Sequence, residues 1–170
     1  MDRRHFLEVS TTVTAGLFAA TAGAATDPVS EPLQVLREVI LAWRRKDLDA
    51  MLQHIDDDIA WHSHVGSPPL QGKVAMREFA TRLTAQMQEI RWRLFEAARD
   101  GDRLHVEGVD DFVSNDGRRV VVPYAGVMRF RDGRIVEWRD YFDRALFERL
   151  KAGEPLPAYL EGLANRPALF

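Results

Sequence analysis

The sequence of 170 residues contains no cysteine, which excludes disulfides, thiolate metal ligands and a cysteine nucleophile. It has no excess of basic residues either, since the formal net charge is −3, and nothing in it favours binding of nucleic acid. It also lacks a glycine-rich phosphate loop and a Gly-x-Ser-x-Gly nucleophile elbow. What is present, 46% hydrophobic and 29% charged residues over this length, predicts one ordinary globular domain.

No run of about 20 strongly apolar residues occurs, so the sequence predicts no membrane span in the mature protein. The first 25 residues are instead typical of an export signal. The order Arg3-Arg4-His5-Phe6-Leu7 resembles a twin-arginine signal, a weakly apolar stretch follows, and Ala22-Gly23-Ala24 fits the cleavage pattern. We therefore expect residues 1–25 to be removed, residues 26–170 to form the mature domain, and the protein to be periplasmic or secreted.

The first half of the mature chain has helical periodicity. Apolar residues recur every three or four positions and predict three helices, over residues 32–46, 47–55 and 73–87. Pro32 suits the first turn of the first helix, and Asp47 is a plausible cap for the second. We expect Asp56-Asp57-Asp58 to close the second helix and residues 59–65 to form a short extended segment.

From residue 90 onward the apolar period falls to two, which indicates strands. Turn signals at Asp100-Gly101-Asp102, Asn115-Asp116-Gly117 and Asp132-Gly133 divide this region into four strands, the last three over residues 104–113, 119–130 and 135–142. A short helix is expected over residues 144–151, followed by a loop-like tail. Helices followed by a meander predict an α+β fold, in which a curved sheet wraps around the helices and leaves a cone-shaped pocket.

Two of these strands share a pattern, an apolar face interrupted by one aspartate. Asp140 alternates with Trp138 and Phe142 on the last strand, and Asp110 alternates with Phe112 on the second. A buried carboxylate is unfavourable unless it is paired or protonated, so two of them at one level of a sheet should raise at least one pKa. Such a pair can supply an acid and a base together near neutral pH.

Several alternatives stay open. Because Asp111 follows directly, either Asp110 or Asp111 could be the inward residue, and Asp110 could simply cap backbone groups near a turn. A salt bridge to arginine is the alternative for Asp140. The segment Trp61-His62-Ser63-His64 should lie near the pocket, but two histidines without a third ligand predict no metal site. Tyr124 is a possible hydrogen-bond donor whose orientation the alternation does not decide.

The run Trp138-Arg139-Asp140-Tyr141-Phe142-Asp143 resembles the last-strand signature of limonene-1,2-epoxide hydrolases. These enzymes belong to the SnoaL-like, nuclear-transport-factor-2-like (NTF2-like) superfamily, together with polyketide cyclases and ketosteroid isomerases. The order of elements agrees over nearly all of the mature chain. The resemblance implies an NTF2-like (cystatin-like) cone and epoxide hydrolysis without a cofactor. Asp140 would then activate the attacking water, and Asp110 would protonate the epoxide oxygen.

This resemblance is incomplete at the site. The arginine that bridges the two aspartates in the family is replaced by Gly108, and the water-holding tyrosine and asparagine by Trp61 and Ser63. The alternatives are therefore a ketosteroid-isomerase-like or cyclase-like acid–base enzyme, or a non-catalytic protein that binds small molecules. The expected ligand is a small apolar molecule, with binding residues Trp138, Ser63, Trp61, His62, Tyr124 and Phe142. A homodimer is expected through the outer face of the sheet, with contributions from Val121, Ile135 and Tyr141.

Overall fold

The computed structural model describes residues 30–170, so the predicted signal over residues 1–25 lies outside the described part of the chain. The helices are α1 (Ser30–Arg44), α2 (Leu48–Leu52), α3 (Gly72–Thr84), α4 (Arg144–Lys151) and α5 (Ala158–Ala164). The strands are β1 (Ile55–His62), β2 (Leu70–Gln71), β3 (Met87–Ile90), β4 (Arg93–Asp100), β5 (Arg103–Ser114), β6 (Arg119–Arg131) and β7 (Arg134–Phe142). None of the helices in this range is long and apolar enough to cross a membrane.

The N-terminal helices lie close to where the apolar periodicity predicts them. α1 buries Leu36, Val39 and Ile40 completely, and these positions, three and four residues apart, form one stripe. The carboxylate of Asp47 caps α2 by accepting the backbone N–H of Ala50 at 3.0 Å. α3 ends at Thr84, before the predicted boundary, because the chain enters β3 at Met87.

The strands form one curved, seven-stranded mixed sheet in the order β2-β1-β7-β6-β5-β3, with β4 also paired to β5. The predicted meander is present as β4-β5-β6-β7, whose neighbours are all antiparallel. β1 joins it parallel to β7. The predicted first strand is divided into β3 and β4, which pair with different parts of β5. The α+β cone expected from the sequence is confirmed.

Two local predictions are wrong. Asp56-Asp57-Asp58 does not close α2 but lies within β1, which begins at Ile55. Ile55 and Ile59 are fully buried, and the acidic run is tolerated between them because Asp57 bonds Lys73 at 2.6 Å and Asp56 bonds Arg131 at 3.0 Å. The tail is not all loop either, since α5 follows Pro157 and buries Leu160 and Ala164.

α5 and the C-terminal residues pack against β4, β5 and β6. The guanidinium of Arg93 donates to the carbonyls of Ala164 and Arg166, and the Leu169 N–H donates to the Leu94 carbonyl at 2.7 Å. This C-terminal segment covers part of the sheet that the sequence suggested as a dimer surface.

Two of the three residues expected in that dimer surface are not available to a partner. Val121 and Ile135 are fully buried within the chain, so their assignment to an interface is wrong, whereas Tyr141 is 43% exposed. Alternation along a strand identified residues on one face but gave no sign of what the C-terminal segment would cover. Homodimer formation itself stays a prediction.

Candidate active site

A cavity of about 580 Å³ lies between the helices and the inner face of the sheet. This volume is in the range of small-molecule sites in proteins. Its lining is largely apolar and rich in aromatic rings: Trp43, Trp61, Phe79, Trp92, Phe112, Tyr124, Trp138, Phe142 and Phe147. The polar groups of the inner wall therefore stand in a mainly apolar environment.

Asp140 from β7 enters the cavity beside two tryptophans. Its Oδ1 accepts the indole N–H of Trp138 at 2.8 Å, and its Oδ2 accepts the indole N–H of Trp61 at 3.3 Å. The two indoles are neighbours because Trp61 of β1 lies in register with Trp138 of β7. No salt bridge reaches Asp140 from residues 30–170. The carboxylate is thus held by neutral donors, and the alternative of an arginine partner does not apply.

Asp110 and Asp111 have different environments. The carboxylate of Asp111, only 2% exposed, accepts both arms of the Arg119 guanidinium, at 3.0 and 2.8 Å. Asp110 lines the cavity, and within the described part of the chain no side-chain donor contacts its carboxyl group. Asp111 also borders the cavity but belongs to an ion pair with Arg119, and Asp110 is the cavity acid that has no ion-pair partner among residues 30–170.

The protonation of both cavity acids is shifted toward neutral pH. Burial raises the pKa of Asp110 to about 7. Burial, followed by the charge of Asp110, raises the pKa of Asp140 to about 8, although the indole donors of Trp138 and Trp61 act in the opposite direction. Because each carboxylate disfavours a charge on the other, the pair loses its two protons in succession. In the interval it holds one acid and one carboxylate.

Tyr124 from β6 lies between the two aspartates. On β6 the cross-strand partner of Asp110 is Val122, and that of Asp140 is Gly126. Tyr124 lies midway between these two positions and on the same face of the strand. Its hydroxyl oxygen accepts the indole N–H of Trp92 at 2.5 Å. Burial and the charges of both aspartates raise the pKa of Tyr124 well above its ordinary value, so the phenol is neutral. Since Trp92 supplies a donor, the phenol keeps its own proton for an acceptor in the cavity.

Gly108 explains how Tyr124 reaches this position. The two residues are cross-strand partners, and a Cβ atom on Gly108 would lie 2.3 Å from the Arg93 carbonyl oxygen and 2.8 Å from Tyr124 Cε1. No side chain fits there, least of all an arginine. The position at which the resemblance expects a bridging cation is therefore closed by backbone, and a phenol occupies the space beside it.

The other predicted binding residues divide into two groups. Trp61, Ser63, Trp138 and Phe142 line the cavity together with Tyr124. His62 does not, because it follows Trp61 on β1 and strand alternation directs it to the opposite face, so this assignment is wrong. His64 lines the cavity instead, with its ring 4.9 Å from that of Phe142.

Sequence reasoning missed Trp92 as a site residue, and it treated Gly108 only as a departure from a family pattern. A glycine inside an otherwise apolar strand face is a known sign of close approach by another group, and that signal was available. Within the described residues, no cluster of three histidine or acidic side chains could hold a metal ion.

The fold and the cavity define the class: this is an NTF2-like α+β cone with an internal small-molecule-sized cavity. The profile of the SnoaL-like domain matches residues 36–138, and the chain belongs to this family. No curated protein matches the sequence significantly.

Solved structures agree with this fold. An NTF2-like protein of unknown function from Burkholderia pseudomallei is similar at 27% identity and a TM-score of 0.63, covering 71% of this chain and 97% of that one. An epoxide hydrolase like the limonene enzymes, from M. tuberculosis, is similar at 22% identity and a TM-score of 0.64, covering 73% and 91%. A putative polyketide cyclase from Xanthomonas campestris is similar at 23% identity and a TM-score of 0.61, covering 72% and 98%. At these identities the last two show the fold alone.

Proposed function

We propose that the protein is a cofactor-independent acid–base enzyme that hydrolyses the epoxide ring of a small, largely apolar molecule. The observation that carries the proposal is the pair of carboxyl groups, Asp110 and Asp140, on the wall of one apolar cavity, with pKa values raised to about 7 and about 8. An acid and a base are then present together near neutral pH, which is the requirement for opening an epoxide with water.

In the singly ionised pair we assign the charge to Asp140. Its two indole donors stabilise a carboxylate, whereas Asp110 has no such donor among residues 30–170. The higher pKa of Asp140, about 8, includes repulsion by an ionised Asp110, and this contribution is absent while Asp110 keeps its proton. Asp140 takes a proton from water, and the water oxygen forms a bond to an epoxide carbon. The carbon–oxygen bond of the ring breaks, and Asp110 gives its proton to the departing oxygen. The diol leaves, and a proton passes from Asp140 to Asp110 through solvent.

Tyr124 supplies the third polar contact in this scheme. Its phenol proton is directed to the same substrate oxygen that Asp110 protonates, because the register places the ring between the two acids. A neutral donor stabilises charge that develops on oxygen without lowering the pKa values of the carboxyl groups as strongly as an arginine would. The missing bridging cation therefore does not abolish the proposed chemistry.

The test is diol formation by the purified mature chain from a panel of small cyclic and aromatic epoxides. Asp140→Asn should abolish turnover, and Asp110→Asn should lower it strongly. Asp102→Asn, an exposed residue in the β4–β5 turn, is the matched control and should be fully active. Reaction in ¹⁸O-labelled water should place the label in the diol. Full activity of Asp140→Asn, or no diol from any epoxide in the panel, contradicts the proposal.

A second candidate is proton transfer next to a carbonyl group, as in an isomerase or cyclase. Gly108 and the replacement of the expected water-holding residues by Trp61 and Ser63 favour it, since they remove groups that the epoxide reaction uses. In this reaction Asp140 would remove a carbon-bound proton, while Tyr124 and the protonated Asp110 would bond the enolate oxygen. Incubation with enolisable ketones in deuterated water distinguishes the two reactions, because this one places deuterium on carbon and forms no diol.

From the sequence we also propose that the protein is exported. Full-length protein expressed in a bacterium with a twin-arginine system should appear in the periplasm with its N-terminus near Ala25. Replacing Arg3 and Arg4 together by lysine should retain it in the cytoplasm with an uncleaved N-terminus. Mass spectrometry of the fractionated cells measures both outcomes, and periplasmic protein of full mass would count against cleavage.

A further inference from the structure

The entrance to the cavity is charged, in contrast to the apolar interior. Arg82 at the end of α3, and Arg144, Glu148 and Lys151 on α4, are all exposed and contribute to its lining. A second cavity, of about 300 Å³, adjoins this entrance, and Arg118 and Asp116 contribute to its lining. The two cavities share Leu83, Gln86, Met87, Phe112, Phe147 and Lys151. The main cavity thus opens into a smaller outer chamber between α3, α4 and the β5–β6 turn.

Positive charge is in excess around the entrance of the main cavity and the adjoining chamber. Glu148 lies 3.7 Å from Arg144, and Asp116 lies 3.2 Å from Arg118, so these two cations have carboxylate partners. Arg82 and Lys151 have no carboxylate partner in the described residues. The Lys151 ammonium instead lies 5.3 Å from the centroid of the Phe147 ring, at the boundary of the two cavities. This local excess contrasts with the net charge of −3 of the whole chain.

The opposite signs at the two ends of the cavity orient a ligand. The inner wall carries the acid pair, which repels an anion once one of its members is ionised. Between the two ends the described lining is mainly aromatic and contains neither lysine nor arginine, although Ser63, His64, Ser67 and Gln86 contribute polar atoms to the cavity. An anionic group on an otherwise apolar molecule is therefore stabilised most strongly at the entrance, and the apolar remainder extends inward to the aspartates.

We propose that the ligand of this cavity is an amphiphile that carries one carboxylate, and that Arg82 and Lys151 bind this carboxylate at the entrance. That the reacting end of the molecule lies beside Asp110 and Asp140 rests on the proposed function. Binding of the carboxylate by Arg82 and Lys151 is independent of the proposed function. Two exposed ion pairs strengthen binding of an anion over a neutral molecule of the same shape by about 2- to 30-fold at low salt. Screening removes most of this difference at high salt.

The experiment is isothermal titration calorimetry of the mature protein with 3-cyclohexylpropanoate and with its carboxamide, which has nearly the same shape and no charge. Wild-type protein should bind the carboxylate about 2- to 30-fold more tightly at low salt, and this preference should fall at high salt. The double variant Arg82→Gln/Lys151→Gln should lose the preference. Arg45→Gln/Arg103→Gln, which removes the same charge from exposed positions away from the cavity, should keep it.

Equal binding of the two ligands by wild-type protein, binding of neither, or an unchanged preference in Arg82→Gln/Lys151→Gln overturns the inference. Because the measurement is of binding, its result is separate from that of the enzyme assay. A carboxylate preference without turnover of any epoxide contradicts the proposed function and leaves the entrance site standing. Turnover of an epoxide together with equal binding of the carboxylate and the carboxamide supports the proposed function and contradicts the entrance site.

Discussion

Replacing Asp140 by asparagine should make the protein more stable at alkaline pH, and the reason is independent of any catalysed reaction. The pKa of Asp140 is raised to about 8 by burial and by the charge of Asp110, whereas in the unfolded chain an aspartate has a pKa of about 4. Between these values the folded state binds a proton that the unfolded state does not. The free energy of unfolding therefore falls as pH rises, until the pH passes the folded-state pKa.

The size of the effect follows from the same shift. Each proton bound only by the folded state changes the free energy of unfolding by about 1.4 kcal/mol per pH unit. At about pH 6 the wild-type protein carries such protons on both Asp110 and Asp140, and between about pH 7 and about pH 8 it carries one. Asp140→Asn has only the proton of Asp110, which is lost near about pH 7. The loss of stability over this range should thus be smaller in the variant by at most about 2 kcal/mol. Asparagine keeps one oxygen that can accept the Trp138 N–H, but its amide nitrogen cannot accept the Trp61 N–H. The loss of this hydrogen bond is the same at every pH and leaves the slope of stability against pH unchanged.

Urea unfolding followed by tryptophan fluorescence, at a series of pH values from weakly acidic to weakly alkaline, measures this difference. Asp102→Asn is the control, because this exposed turn residue should leave the pH dependence unchanged. A wild-type stability that is flat or rises with pH over this range would refute the reasoning. So would an Asp140→Asn variant whose stability falls as steeply as that of the wild-type protein. The first result would mean that both carboxyl groups are ionised in the fold as freely as in water, and the second that Asp140 contributes nothing to the pH dependence.

Three further predictions address the site directly. The rate of the catalysed reaction should rise with pH near about 7 and fall near about 8, giving a narrow bell-shaped profile in kcat/KM, because one acid must be ionised and the other protonated. Tyr124→Phe should lower kcat by about 100- to 1000-fold, because the substrate oxygen loses a hydrogen-bond donor. It should also reduce stability by about 1–3 kcal/mol, because the Trp92 N–H loses its acceptor. The control Tyr159→Phe, at a side chain that is 69% exposed, should change neither kcat nor the urea midpoint. Gly108→Ala should destabilise the protein by about 1–3 kcal/mol in urea unfolding, because the new Cβ meets the Arg93 carbonyl, whereas Gly162→Ala in α5, with open space around it, should be neutral or stabilising.

The parts of the fold that the sequence predicted are those set by local periodicity. Alternation along β5 and β7 is a property of each strand alone, and it brought Asp110 and Asp140 to one face without knowledge of the partners. The position of β1 beside β7 depends on distant residues, because Lys73 and Arg131 pair with the acidic run that otherwise resembled a helix end. α5 was missed because it is short and is stabilised by burial of Leu160 against the sheet rather than by its own sequence.

The positions of the side chains in the site also depend on contacts between residues that are distant in the sequence. Nothing in the sequence around Tyr124 indicates which face it occupies, since β6 is apolar on both faces along much of its length. Its ring lies over Gly108 of the neighbouring strand, where a Cβ atom would meet Tyr124 Cε1 at 2.8 Å, and this contact joins two different strands. The orientation of the Asp140 carboxylate likewise depends on Trp61, which a parallel strand from the first half of the chain supplies.

Among residues 30–170 no cation lies between the two aspartates, and this accounts for the pH range in which the pair can act. An arginine in contact with both carboxyl groups would stabilise their charged forms and lower their pKa values, in opposition to burial. Here the group between them is a phenol that stays neutral, so burial and mutual repulsion act without that opposition. Gly108, which admits no side chain, and Tyr124, which takes the adjoining space, therefore act together to keep one carboxyl protonated near neutral pH. A cavity with this charge pattern favours reactions that need a proton donor close to a substrate oxygen, and both proposed reactions are of this kind.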